Sequence, residues 1–405
     1  MYRVRTNINI EQVPKDEFPT RKSKIKLDFC TAYEWNSSWE NFTDKGTLTF
    51  PKNLFYKDAN NALSTLNGTK VNIGGFNGEP LIMRGDKISL ASGYQYRKEA
   101  LTKDVVEMAT IFEGYVSKVY SSIPIKLDIE DNMWLLKQTA MPMPNKTFTT
   151  KNNVEDILKY IIDTVNAKHK VKFTYYDDAK TNIGNIIVGN ETAAQLLNRI
   201  GKLYGLRAYF RGTELRCGVF INIEKESQTQ TFILNGTKAN VLADGQELEY
   251  RRKDDVVLSA IAHNTIEEEV KGKKNKDGSS KSKHKRLEVL VTLKNGDWEY
   301  NEIKQGEQVP ENNEGERRTF FFAGAKTIAE LQEAAKKELL KYYYTGLNGS
   351  FKSLAIPYIR HNDKAKIINP KLPEQNGTYR VKAVNYEGGL NGLTQTIYLD
   401  YKIDG

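Results

Sequence analysis

Asn376-Gly377-Thr378-Tyr379-Arg380-Val381-Lys382-Ala383-Val384-Asn385-Tyr386, a Gly-rich turn from Gly388 to Gly392, and then Thr394-Gln395-Thr396-Ile397-Tyr398-Leu399-Asp400-Tyr401 form the stretch that decides the fold. Asp363-Lys364-Ala365-Lys366-Ile367 leads into it through a turn bounded by Pro370 and Pro373. β-Branched and aromatic residues fall at alternate positions between Asn-Gly turns, which predicts antiparallel strands with one buried face.

An earlier segment, 86 to 129, echoes this pattern. Asp86-Lys87-Ile88-Ser89-Leu90 matches the run that starts at Asp363, and Gly114-Tyr115-Val116-Ser117-Lys118-Val119-Tyr120 matches the run from Tyr379 to Tyr386. Each copy closes with a strand, Ile125 to Ile129 or Thr396 to Tyr401. Two hairpins with Val and Tyr at period two resemble each other by chance more easily than longer motifs do. The shared order of strand, turn and closing strand nevertheless predicts two related β-modules separated by other material.

The intervening material changes period. Asn152 is placed to cap a helix with Glu155 returning the bond, and Val154, Ile157, Leu158, Ile161, Ile162 and Val165 recur on one face. A strand from Val171 to Tyr175 follows. A second helix starts at Asn190, presents Ala193, Leu196, Leu197, Ile200 and Leu203, and stops at Gly205, where a left-handed cap is wanted. A hairpin through Arg211-Gly212 completes a small α/β insertion. A third helix opens at Thr327-Ile328-Ala329-Glu330 and buries Leu331, Ala334, Ala335, Leu339 and Leu340. The expected fold is mainly β with α+β parts: two antiparallel β-barrel modules and an α/β domain inserted between them. The expected boundaries are an N-terminal arm over 1–23, a first barrel over 24–130, the insertion over 131–236 and a second barrel over 237–405.

A 405-residue chain with 39% apolar and 10% aromatic residues has ample material for several cores. No run of about 18 apolar residues predicts a membrane span, and Met1 to Lys24 has no apolar segment of the secretory kind. Assembly in a cytoplasm is expected. Cys30 and Cys217 stand in strand-like contexts far apart and read as small buried hydrophobes.

The formal charge of +9 is concentrated. Lys271, Lys273, Lys274, Lys276, Lys281, Lys283, Lys285 and Arg286, with one Asp among them, supply +7 and leave +2 for the rest. A nucleic-acid binder spreads its basic face over a folded surface. This run instead predicts a solvated hairpin tip over 271–286, with an electrostatic finger for phosphates or an acidic partner as the alternative.

Chemistry-bearing motifs are scarce. The four histidines, His169, His263, His284 and His361, stand apart from Cys, Asp and Glu at metal-ligand spacing, and no zincin, redox or nucleophile-elbow pattern occurs. Gly74-Gly75-Phe76-Asn77-Gly78 lacks the Lys-Ser/Thr of a phosphate loop. The carboxylates at Asp128, Glu130 and Asp131, and those from Glu267 to Glu269, are the material for a cell-wall hydrolase, but they stand beside a turn and in a charge run. Trp35 and Trp39 could shelve a sugar, as in an adhesin, or cover a barrel end. Tyr342, Tyr343 and Tyr344 point in different directions on a helix end and are expected to pack against a sheet. No catalytic residue, metal or cofactor is expected.

The order of third helix, strand, Asn362-Asp363-Lys364, Asn376 to Val384, Gly388 to Gly392 and closing strand resembles the C-terminal module of the late control protein D family, the baseplate hubs of contractile phage tails, to which type VI secretion spike proteins are related. Glu113 to Val119 resembles the first barrel of those hubs, and Ala193 to Gly218 their α/β insertion. The basic insertion at 271–286 departs from the pattern, and no spike or lysozyme module follows the second barrel. The resemblance implies a homotrimeric virion structural protein, a ring adapting a six-fold tail tube to a three-fold central spike. Its partners would be the tail tube protein, the spike, and baseplate wedge or tape-measure proteins. It implies no membrane anchor, and nucleic acid only in passage through the lumen. Subunit or tube contacts are expected at Gly114, Tyr115, Val116, Val119, Gly377, Tyr379, Val381 and Val384, with strand edges pairing across subunits.

Overall fold

The computed structural model describes residues 2–57, 63–67, 80–97, 104–120, 123–142, 146–149, 151–178, 185–218, 227–242, 247–274, 280–304, 306–311, 315–322 and 325–403. Fifteen strands form one continuous, almost wholly antiparallel sheet. Its path runs from Glu247–Arg251 through Gly346–Leu354, Gly392–Lys402 and Gly377–Gly389 into Ala32–Ser38. It continues through Lys45–Phe50, Ile125–Glu130, Asp104–Val119, Lys87–Arg97, Tyr2–Glu11, Lys24–Leu27 and Asn53–Lys57 to Leu63–Asn67. Lys364–Ile368 branches off Gly377–Gly389 and carries Thr229–Ile233 in parallel.

The seam between the two halves is the ladder from Ala383↔Ser38 to Gly389↔Ala32. One apolar core runs across it, containing Ile8, Leu48, Leu90 and Leu127 from one half with Phe351, Ile367, Val384 and Ile397 from the other. Each such side chain contributes about 1.5–3 kcal/mol on burial, so the halves are bonded both by backbone and by side chains.

Residues 2–11 are a strand and not an arm. Tyr2–Glu11 pairs with Lys87–Arg97 on one side and Lys24–Leu27 on the other, and Ile8 and Ile10 are fully buried. Arg3, Arg5, Asn7 and Asn9 fill the positions between, and the polar Thr6 interrupts the inward-facing set, which hides the alternation. Among the described residues the strand after Gly377 has no free edge to lend to another subunit, whereas the one through Gly114 is bonded on both sides only around Tyr115 and Val116. Asp104–Val119 pairs with Lys87–Arg97 over Asp104–Tyr115 and with Ile125–Glu130 over Tyr115–Val119, and Gly377–Gly389 is paired on both sides.

The insertion has its own core. Helix α1 spans Met133–Lys137, α2 Val154–His169 and α3 Ala193–Tyr204. The α2 cap is Asn153 with Asp156 closing the box, one residue later than the sequence suggested, and all six expected face residues are buried. Helix α3 ends at Gly205, whose φ of 64° is left-handed, while Leu203 points out at 52% exposure. Beside them Thr174–Asp177 pairs parallel to Glu214–Gly218, which pairs antiparallel to Arg207–Arg211.

The segment expected to belong to the second barrel yields a further unit. Leu258–Lys274, Ser280–Lys294, Asp297–Glu302 and Glu316–Phe321 make a separate four-stranded sheet. Helix α4, Ile328–Leu339, lays Leu331, Ala335 and Leu339 on Leu258, Ala260, Ala262, Val289 and Val291. Asn295 (φ 54°) and Gly296 (φ 87°) form the tight turn that an Asn-Gly pair favours. Asn348-Gly349 is no turn; it lies inside the Gly346–Leu354 strand, where a Cβ on Gly349 would meet the Glu247 carbonyl oxygen at 2.0 Å.

Candidate functional site: a repeated aspartate turn and the joint it makes

The sequence echo is a structural repeat at the level of single hydrogen bonds. In the first copy Asp86 N–H donates to the Met83 carbonyl (3.1 Å), Met83 N–H to Asp86 Oδ2 (2.7 Å), Gly85 N–H to Val116 O (2.7 Å) and Val116 N–H to Asp86 O (2.9 Å). In the second Asp363 N–H donates to Arg360 O (3.1 Å), Arg360 N–H to Asp363 Oδ2 (2.8 Å), Asn362 N–H to Val381 O (2.8 Å) and Val381 N–H to Asp363 O (2.9 Å). Gly85 and Asn362, at φ 90° and 65°, are residue types that tolerate this conformation. The strand register slips just after Val116 in one copy and just after Val381 in the other.

Each aspartate also holds an arginine. Arg21 donates from Nη1 and Nη2 to Asp86 at 3.0 and 2.6 Å, with both side chains fully buried. Arg211 donates from Nη2 to Asp363 Oδ1 at 2.6 Å and from Nη1 to the His361 carbonyl at 2.9 Å. Arg21 belongs to the same β-module as Asp86. Arg211 comes from the α/β insertion.

Around Asp363 the modules meet in a polar cluster. Ser37 Oγ lies 2.6 Å from Asp44 Oδ2 and 2.5 Å from His361 Nδ1. Asp44 N–H donates to Asp131 Oδ2 (3.3 Å), and Asp131 Oδ1 accepts from Met133 N–H (3.1 Å) at the start of α1. Asn132 Nδ2 donates to Gly212 O (2.8 Å), Asn362 Nδ2 to the Tyr209 hydroxyl, and Arg380 Nε to Asn362 Oδ1 (2.7 Å).

Burial drives the electrostatics here. It pushes Asp44 up to about 7 against the hydrogen bonds of Ser37 and Ser38, and raises Asp131 well above the carboxylate range, helped by the Asp44 charge. It pushes His361 well below its ordinary value, reinforced by Arg211, Arg360 and Arg380. Serine, histidine and aspartate thus meet, but in the wrong order for a hydrolase, whose imidazole must stand between the other two. Ser37 stands in the middle, and it is 1% exposed.

Sequence reasoning missed this cluster because its members come from four distant segments. It had set His361 apart as isolated, although Asp86 aligned on Asp363 was the available signal. The other singled-out residues have plain positions. Tyr115, Val116, Tyr379, Val381 and Val384 are buried in their own chain's cores; Gly114 is packed so closely that a Cβ would lie 2.1 Å from the Glu130 carbonyl oxygen. Val119 and Gly377 are half-buried. Asp128 accepts from the Tyr120 hydroxyl (2.8 Å) and Glu130 pairs with Lys137 (2.6 Å). These carboxylates do not converge with Asp131. Trp35 is stacked on Tyr386 at 4.6 Å, and Trp39 lies under Arg380. Tyr342 and Tyr344 are buried, as packing required. Cys30 and Cys217 are buried and unpaired.

On the basic hairpin, the backbone ladder runs to Lys274↔Ser280. Lys271, Lys273 and Lys274 lie in one strand and Lys281, Lys283, Lys285 and Arg286 in the other. Lys285 and Arg286 are exposed, and Arg286 pairs with Glu288 at 2.8 Å. Lys276 and the run Gly74 to Gly78 lie outside the described residues. Among the described residues no helix is long and apolar enough to cross a membrane.

Two β-modules, an inserted α/β unit and a seam joining all of it match known structures over nearly the full chain. The tail protein from Neisseria meningitidis MC58 superposes with a TM-score of 0.51 at 12% identity, over 99% of this chain and 97% of that one. The chain has the fold of that tail protein. Similar too are the 43 kDa tail protein of prophage MuSo2 from Shewanella oneidensis (TM-score 0.49, 14% identity, 98% of each chain) and the E. coli c3393 protein, a type VI secretion component (0.45, 8%, 98% of this chain and 77% of that one). No protein-family model and no curated protein sequence matches the chain.

Proposed function

We propose that this tail-fold chain is the structural hub of a phage-type tail baseplate or a related injection machine, located in the virion tail, and that it performs no catalysis. The observation that carries the reading is the repeat: two β-modules with the same aspartate turn, the same following bulge and one shared sheet. Three chains bearing two such modules each offer six quasi-equivalent surfaces to a six-fold tube while keeping three-fold symmetry towards a spike. The tube protein, the spike and wedge or tape-measure proteins are the partners this role requires.

Because Val116, Tyr379, Val381 and Val384 are committed to the chain's own core, ring contacts fall to the exposed faces and loops of those strands. Mass photometry of the purified chain, alone and with its tube protein, tests the proposal. Three copies per ring are expected; a monomer under both conditions, or a ring of six, refutes it. An adhesin shelf formed by Trp35 and Trp39 is disfavoured, because one ring is stacked and the other covered.

A further inference from the structure

A cleft of about 600 Å³ opens where α3, the four-stranded sheet and the second β-module come together. Its floor includes the whole Glu316–Phe321 strand, the outermost of that sheet. Among the described residues this strand has a neighbour on one side only, the parallel Leu258–Lys274. Glu316 N–H donates to Val257 O and Phe322 N–H to His263 O. Even-numbered residues therefore address that neighbour, and in a parallel pair the odd-numbered ones turn both backbone groups away from it. Arg317 and Thr319 thus direct N–H and C=O outward, and neither backbone has a partner among the described residues. Thr319 is exposed and Arg317 half-buried.

The walls are basic. Seven Lys or Arg side chains line the cleft against three Glu. Each Glu is already matched: Glu40 to Lys382 (3.1 Å), Glu338 to Lys341 (2.7 Å) and Glu316 to Arg318. Lys202 and Arg207 are exposed and have no ion-pair partner among the described residues. Two further donors on the walls, Trp39 Nε1 and Arg318 Nε, are buried without an acceptor among the described residues.

We propose that this cleft receives an extended acidic segment of a partner protein, which adds a strand to the free edge of Glu316–Phe321 and sets its carboxylates against Lys202 and Arg207. A free edge left uncovered is a liability that proteins usually cap, and strand addition supplies main-chain bonds while side-chain pockets give selectivity. Nucleic acid has no backbone amide to pair with Arg317 and Thr319, so the edge favours peptide. The proposal stands independently of the tail reading.

The test is fluorescence anisotropy of the full chain with a labelled peptide of alternating Glu and Val, a Lys and Val counterpart, and oligothymidylate as competitor. The Glu peptide should bind with Kd below about 1 mM, and the Lys peptide should not. Thr319→Pro removes an outward N–H that the native ladder does not use, a substitution edge strands tolerate, and should weaken binding at least tenfold at unchanged thermal midpoint. Lys202→Glu with Arg207→Glu, on the exposed wall, should weaken it as much. No binding by the Glu peptide, indifference to both variants, or displacement by oligothymidylate at equal charge concentration overturns the proposal.

Discussion

The two aspartate turns share their backbone bonds and differ in the arginine each holds. Asp86 takes Arg21 from within its own β-module, in a pair with no exposure on either side chain. Asp363 takes Arg211 from the insertion, with 16% of the arginine and 4% of the aspartate still exposed. One copy closes a module on itself; the other fastens a neighbouring module to it. A repeated turn that buries a carboxylate needs a cation, and which segment supplies it decides whether the turn stabilises a unit or a joint.

The largest effect should come from breaking the internal pair. Arg21→Met leaves Asp86 buried without its counter-charge, a loss of about 3–5 kcal/mol, read as a global fall in the urea midpoint. Replacing Asp86 by Asn as well should recover part of it, and a double variant no better than the single one would show that the pair is not the cause. Arg211→Met should cost less, about 1.5–3 kcal/mol, and should act locally: amide exchange should accelerate across Arg207–Gly218 before it does in the β-modules. Uniform acceleration would remove the distinction between the copies.

A third test uses pH at the joint alone. With Asp44 held up to about 7 by burial, the folded chain retains a proton that an unfolded one releases near pH 4. Asp44 therefore contributes stability that is complete below about pH 4 and is lost as pH rises towards 7. The lowered His361 runs oppositely: its contribution is present above about pH 6.5 and is lost as pH falls towards its depressed folded value. Asp44→Asn should gain on the parent between pH 5 and 7, by at most about 1.4 kcal/mol per pH unit, in urea titrations at several pH values. A constant difference across that range would mean that Asp44 is ionised in the fold. The smallest effect belongs to the basic hairpin: replacing residues 270–281 by Asn-Gly, which joins the ladder partners Glu269 and Ser282, should move the melting midpoint by only about 2 °C, since the sheet's core residues lie below it. A large drop would make the tip part of the fold.

Much of the architecture was legible because it rests on local periodicity. The six buried positions of α2, the Gly205 stop of α3 and the paired strands near 116 and 381 follow from spacing alone. The Tyr2–Glu11 strand was hidden by its polar alternate residues. The Leu258–Phe321 sheet was absorbed into the second module because its strands carry the same alternation, and periodicity cannot say which sheet a strand joins. The joint was least visible. Arg211 and Asp363 are 152 positions apart, and each sits in what reads as an ordinary turn until the repeat shows that the aspartate needs a cation.

The seam has a temporal side. Ser38 and its partner Ala383 are separated by roughly 345 residues, so during synthesis at about 5–20 residues per second the Ala32–Ser38 strand waits on the order of 20–70 s for its neighbour. Through that interval the nascent first module carries an open edge of seven residues, able to pair with any other strand in reach. Emergence of the Gly377–Gly389 strand is the event that lets this edge close.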